Sequence, residues 1–151
     1  MFSMTIEFLN LLLAALLLGG VFGVWLILNP AGLAGDAYVE LHQQGVRTVN
    51  TVLPRLGAAT ILVTIVAAVA ARGDRLRLGL LVAATVCFVA TGLVTRFLNQ
   101  PINDVVMTWK GDALPSGWES LRDAWWRWHL LRLAAMLAGF CLLIISTLAH
   151  R

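Results

Sequence analysis

Charge is what this chain has least of. Only 13% of its 151 residues are Asp, Glu, Lys or Arg, while 60% are hydrophobic. Soluble domains carry about 25% charged and about 45–50% apolar residues, so a soluble globular domain, a disordered chain and a nucleic-acid-binding module are all excluded. Cysteine is scarce as well. Cys87 and Cys141 both sit within apolar runs and form neither a CxxC pair nor a metal-ligand spacing, so each reads as a small buried hydrophobe. There is no glycine-rich phosphate loop, no nucleophile elbow and no CxxCH haem-attachment motif. No Lys or Arg precedes Arg47. The first apolar run thus lacks the basic flank of a cleaved signal peptide and reads as a membrane span.

What remains is long apolar runs, with a mean hydropathy of +0.84. Four runs are long enough to cross a bilayer: residues 6–28, 52–71, 78–98 and 130–149. They predict an all-α fold, an integral membrane four-helix antiparallel bundle forming one transmembrane domain over 1–151. Short interfacial helices are expected within 36–50 and within 101–109 or 117–128. Small residues that let helices approach closely are expected at Gly19, Gly23, Gly57, Gly92, Ala134 and Ala138. Pro54 falls in the first turn of span two, where its missing N–H costs little.

Four spans put both termini and the Arg72–Arg77 turn on one side and the two long connections on the other. The long-loop side carries more basic residues, seven against four with Arg151 included. The short dense turn is the cleaner positive-inside signal, so the termini are expected in the cytoplasm, in the plasma membrane of a bacterium. The net charge of +3 reflects arginines at membrane edges rather than a nucleic-acid partner. A homo-oligomer is compatible with the pattern.

The polar residues gather at the long-loop ends. Gln43, Arg47 and Asn50 share a helix face leading to Pro54; Asn99 precedes Gln100-Pro101 and is expected to cap a new short helix, with Asn103 one turn on. Trp125, His129 and Arg132 are spaced i, i+4, i+7 where span four begins. Tryptophans here serve as interfacial anchors. An Arg one turn inside a membrane helix must either snorkel or find partners, and Asp104, Asn99 or Asn103 could supply them for Arg132. His42 and His129 could bind a haem or, with Glu40 and Asp104, a metal ion, although the Glu-x-x-His spacing of diiron bundles is missing.

The segments Asn99-Gln-Pro-Ile-Asn103-Asp104 and Trp125-Trp-Arg-Trp-His129-Leu-Leu-Arg132 resemble the second half of the anthrone-oxygenase-like family of small four-span membrane proteins, many of unknown function. Asn99, Pro101 and Asn103 fall on its N-x-P-x-N stretch; Trp125, His129 and Arg132 fall on its W-x-x-x-(N/H)-x-x-R stretch. The Lys110–Ser120 loop has no counterpart in that pattern. The resemblance implies cofactor-independent oxygenation by O2 of a hydrophobic anthrone- or hydroquinone-like substrate that enters from the bilayer. His129 or His42 would be the base, with Arg132, Asn99 and Asn103 stabilising the oxyanion. Trp125 would stack on the rings, and Asn50, Gln43, Arg47 and Asp104 would contact the substrate. Two other readings of the same residues are a non-enzymatic accessory or small-molecule-binding membrane protein, and a haem or metal redox protein using His42 and His129.

Overall fold

The computed structural model describes residues 2–30 and 32–149; the Arg151 counted above with the termini lies outside them. The helices are α1 (Phe2–Ile27), α2 (Gly35–Val49), α3 (Val52–Ala70), α4 (Arg75–Val94), a π-helical turn (Thr95–Asn99), α5 (Gln100–Val106) and α6 (Trp118–Leu148). Four stretches are long and apolar enough to cross a membrane: Met4–Ile27, Val52–Ala70, Arg75–Val106 and Trp118–Leu148. Among the described residues there is no β-strand, only one isolated bridge between Lys110 and Ala113.

The spans form a ring in which α1 packs on α3 and α6, and α4 packs on α3 and α6. Contacts set their directions. Asn10 meets Thr64, and Gly20 faces Leu53, so α1 and α3 run antiparallel. Gly139 faces Phe88, and the Arg132 carbonyl meets Thr91, so α4 and α6 do too. The outside of the ring is apolar: Leu16, Leu62, Val86, Leu137 and Ile145 are all exposed. Polar side chains go inside, including Asn10, Thr64, Asn99, Asn103, His129 and Arg132. This inversion of the soluble pattern is what lipid as a solvent selects.

Two boundaries differ from the sequence expectation. Span four begins twelve residues early in sequence, because α6 runs unbroken from Trp118 through the charged Arg122-Asp123 turn. Its 31 residues make roughly 46 Å at 1.5 Å each, so its first turns reach beyond the hydrocarbon. Asn99 caps nothing: it has helical dihedrals and makes no capping hydrogen bond. The chain instead passes Pro101 through the π turn, in which the Gln100 N–H reaches back five residues to the Thr95 carbonyl. Pro101 has no N–H to give. The extra residue per turn rotates the helix, and a π turn of this kind commonly marks a functional site.

The close contacts also fall elsewhere. Gly19, Gly23 and Gly92 have nothing within 4 Å of a built Cβ, and Ala134 and Ala138 are exposed. The inward face of α1 is Asn10, Ala14, Leu17, Val21 and Val24. Tight glycines within the spans are Gly20 and Gly139, whose Cβ atoms would each stand 2.6 Å from a neighbouring side chain, Leu53 and Phe88 respectively. The terminal half of the bundle is packed by Leu17, Leu81, Phe88, Met136 and Leu143. It also holds two polar pairs that the sequence pattern does not mark: Arg77 with Glu7, and Thr64 with Asn10 at 2.8 Å.

Candidate functional site

A cavity of about 550 Å³ opens among the spans towards the long-loop end. Its apolar wall comes from Leu17, Val21, Val24, Leu53, Ile61 and Phe88. Gly57 and Gly92 widen it by lacking side chains. Its polar wall is formed by His42, Asn50, Thr91, Thr95, Arg96, Gln100, Asn103, Asp104 and Arg132, with Trp125 beside them. A second, wider depression of about 820 Å³ lies on the surface between α2 and the Trp109–Trp118 loop. The enclosed cavity is the chemical candidate, because there apolar walls and convergent polar groups coincide.

Asn103 organises one half of the polar wall. Its Oδ1 accepts from Trp125 Nε1 at 2.8 Å, and indole N–H can only donate. That fixes the amide orientation, so the His42 Nε2 facing the same oxygen at 3.1 Å must also be a donor. The proton of the neutral imidazole therefore sits on Nε2, and Nδ1 keeps its lone pair. Asn103 Nδ2 donates to Gln100 Oε1 at 3.3 Å. Gln100 and Asn50 in turn exchange amide hydrogen bonds, joining α2 to α5.

Burial pushes the His42 pKa down to about 4, with the Asn103 hydrogen bond opposing the shift. The ring is therefore neutral at pH 7. In an unfolded chain histidine titrates near 6.5, so between 6.5 and 4 the unfolded state binds a proton that the folded state refuses. Stability should fall as pH drops through that window, by at most roughly 3 kcal/mol. Melting temperatures in detergent from pH 7 to pH 4 would show it, and His42→Gln should flatten the profile. An unchanged slope in the variant would refute the assignment. The neighbouring Tyr38 hydroxyl is buried without a hydrogen-bond partner among the described residues, and its pKa is pushed upwards by burial.

Arg132 organises the other half. It is 8% exposed and does not snorkel. Its Nε and Nη2 both point to His129 Nδ1, at 3.0 and 2.8 Å, and Nη1 lies 3.4 Å from the Thr95 hydroxyl. These partners are not Asp104, Asn99 or Asn103, the ones the sequence suggested. The reason is helical: His129 is one turn earlier on the same helix face, and Thr95 is brought opposite by antiparallel packing.

The structure divides the residues named from sequence. His42, Asn50, Asn103, Asp104, Trp125 and Arg132 line the cavity. Asn99 and His129 are fully buried behind it. Asn99 Nδ2 donates to the Trp125 carbonyl at 3.0 Å, tying the π turn to α6. His129 is stacked on Trp125 and Trp126 with centroids 5.4 and 5.3 Å away. Its Nδ1 is taken up by Arg132, so His129 holds the guanidinium rather than meeting a ligand. Gln43 and Arg47 lie outside the cavity. Gln43 clamps the carbonyls of Val106 and Trp109, each at 3.0 Å, and Arg47 is exposed. The sequence reading missed Thr91 and Thr95, two threonines one turn apart in an apolar span, and Arg96.

For a metal or haem, the two imidazoles are poorly disposed. Nε2 of His42 is spent on Asn103 and Nδ1 of His129 on Arg132, both rings pack against the Trp125 indole, and of the two imidazoles only His42 keeps a lone pair, on Nδ1, that could ligate. Among the described residues no group of three or more His, Cys, Asp or Glu could hold a metal ion.

What the arrangement offers is a largely apolar slot with a neutral imidazole, a fixed guanidinium and an amide chain at one end. A family model for anthrone oxygenase matches residues 44–142, from the middle of α2 to the last turns of α6, and so takes in every cavity-lining polar residue above except His42. No curated protein and no solved structure gives a match. With well over half of its length matched, the chain belongs to the anthrone oxygenase family.

Proposed function

We propose that this protein is a membrane oxygenase that converts a flat hydrophobic anthrone- or hydroquinone-like aromatic to a quinone with O2, without metal or flavin. The observation that carries the reading is the cavity. Its volume, about 550 Å³, lies within the roughly 300–1,000 Å³ of small-molecule sites. All four spans line it, and its polar groups converge at one end. A lipid-soluble substrate would reach it from the bilayer.

The chemistry balances with O2 alone. Loss of a methylene proton from an anthrone leaves an aromatic, phenolate-like anion. That anion gives one electron to O2, and the resulting radical pair joins as a peroxide at the same carbon. Loss of the second hydrogen of that carbon as a proton breaks the O–O bond, so anthrone plus O2 becomes quinone plus water. His42 Nδ1 takes the first proton, with Asn103 holding the ring from behind. Burial makes this imidazole a weak base in the empty site. The anion forming beside it offsets that by stabilising the imidazolium. Arg132 receives the developing oxyanion, and Trp125 stacks on the substrate rings. The Arg72–Arg77 turn supports termini on the cytoplasmic side of a plasma membrane, which places the polar end of the cavity towards the opposite face.

The test is oxygen uptake by purified protein in lipid nanodiscs supplied with an anthrone. One O2 should disappear per quinone formed. A built Cβ on Gly57 would meet only Leu17, at 3.9 Å. Gly57→Leu should therefore insert normally, fill the slot and raise KM several-fold at an unchanged melting temperature. Binding of the aromatic without oxygen uptake above the protein-free rate would make the protein a binder and overturn the proposal.

A further inference from the structure

The cavity chemistry leaves a cluster of aromatic rings unexplained. Trp125 lines the cavity, and its indole stacks on Trp126 with centroids 6.4 Å apart and planes 22° from parallel. The His129 imidazole stacks on both indoles. Trp126 is half-buried at the outer side of α6, one residue before the exposed Arg127. A second stack leads the other way: His42 contacts Trp125 and Tyr38, and Tyr38 stacks on Trp118 at 5.4 Å. Rings in contact are good conductors of single electrons, and indoles are among the most easily oxidised side chains.

We propose that Trp125 and Trp126 form an exit for oxidising equivalents, carrying a hole from the cavity to the membrane interface, where a thiol refills it. The inference rests on the oxygenase reading, in which O2 and substrate pass through a radical pair. When that pair separates instead of joining, the superoxide takes back the proton held by His42, and a hydroperoxyl radical is left among buried side chains. It takes an electron from Trp125 and a proton from water and leaves as hydrogen peroxide. The indole radical cation so formed is filled by an electron from Trp126. Trp126 then takes an electron from the thiol, which releases its proton and becomes a thiyl radical. In sum, hydroperoxyl plus thiol gives hydrogen peroxide plus thiyl.

Three features give the path its direction. The Trp125 N–H is bonded to an amide oxygen, Asn103 Oδ1 at 2.8 Å. An amide is too weak a base to take the proton, so the hole is not trapped there. The Arg132 guanidinium lies 6.0 Å over the Trp125 ring, and its positive charge disfavours a hole on Trp125, pushing it outwards. The Tyr38–Trp118 branch ends beneath another cation, Arg122, 5.0 Å over Trp118. That cation is paired with Asp123 at 2.8 Å, so the branch is stopped earlier. An oxidised Tyr38 must shed its phenol proton, and its buried hydroxyl has no hydrogen-bond partner among the described residues to take it. Trp126 is the exit and Trp118 is not.

Photoexcited anthraquinone, a flat one-electron oxidant that the oxygenase reading places in the cavity, tests this in nanodiscs without any turnover. Transient absorption follows the indole radical. In the wild type and in Trp118→Phe, an added thiol should quench it equally fast. In Trp126→Phe, and in Trp126→Leu as a second variant, quenching should slow several-fold. Absence of an indole radical, equal quenching in the Trp126 variants, or equal slowing in Trp118→Phe would each overturn the proposal. Oxygen uptake with an anthrone, measured on the same samples, separates this result from a failure of the oxygenase reading. In that assay Trp126→Phe should start at the wild-type rate but stop after several-fold fewer turnovers.

Discussion

Arg132→Lys should lower kcat for anthrone oxidation by about two to three orders of magnitude, the usual cost of losing an oxyanion donor. The guanidinium is a planar fork, and two of its N–H groups converge on one acceptor, His129 Nδ1. That arrangement leaves Nη1 beside the Thr95 hydroxyl, with both residues lining the cavity. A lysine ammonium is a single point charge on a flexible stem. It can neutralise the buried site but cannot hold His129 with one side and an oxyanion with another. The charge survives in this variant, so the loss should appear in kcat with little change in KM. His129→Gln should fall between wild type and Arg132→Lys, because a glutamine carbonyl can still accept from the fork, though from a different position. His129→Leu, which leaves two guanidinium N–H groups without an acceptor, should in addition lower stability by about 1–3 kcal/mol. Steady-state oxygen uptake together with thermal melts would separate the two effects. A wild-type kcat in Arg132→Lys would remove Arg132 from the mechanism.

The sequence made the frame readable and the division of labour within it unreadable. Apolar runs and their spacing were enough to place four spans, because in lipid every backbone group must be satisfied within its own helix. Trp125, His129 and Arg132 stood out by lying on one face at i, i+4 and i+7, and they do meet in space. Which of them faces the cavity depends on rotation about α6, and rotation is set by packing against α4 and the π turn. Hence His129 looked like the base but lies behind Arg132. The π turn itself carries no period that marks it in the sequence. Pro101 signalled a break, and a break was read as a new helix with Asn99 at its cap. Gln43, Arg47 and Asn50 share one face as read, yet α2 turns its His42, Gly45, Val46 and Val49 face to the cavity; of the three only Asn50, just past the helix end, reaches it, while Gln43 clamps α5 and Arg47 is exposed. The Glu7–Arg77 pair escaped notice because its members lie 70 positions apart and each looked like an ordinary helix-end residue.

Asn103→Ala is expected to be the most damaging single substitution for folding. One oxygen of Asn103 serves two buried donors, His42 Nε2 and Trp125 Nε1. Truncation leaves both without an acceptor at about 1–3 kcal/mol each, so roughly 2–6 kcal/mol together. It also frees Gln100 from α5's inner face. The loss should be smaller when the donor goes too: His42→Leu with Asn103→Leu should cost less than the sum of the two single changes, as coupled partners do. Asn103→Asp makes the opposite electrostatic change. A carboxylate facing the His42 N–H favours the imidazolium, so the His42 pKa should rise from about 4 towards or beyond its unfolded value. As the folded and unfolded values converge, the acid-induced loss of stability between pH 6.5 and 4 should shrink, and it should reverse in sign if the folded value passes 6.5. Melting curves of these five variants across that range would read all of this at once. Equal acid sensitivity in Asn103→Asp and wild type would mean that Asn103 does not hold His42, and the proposed base would lose its support.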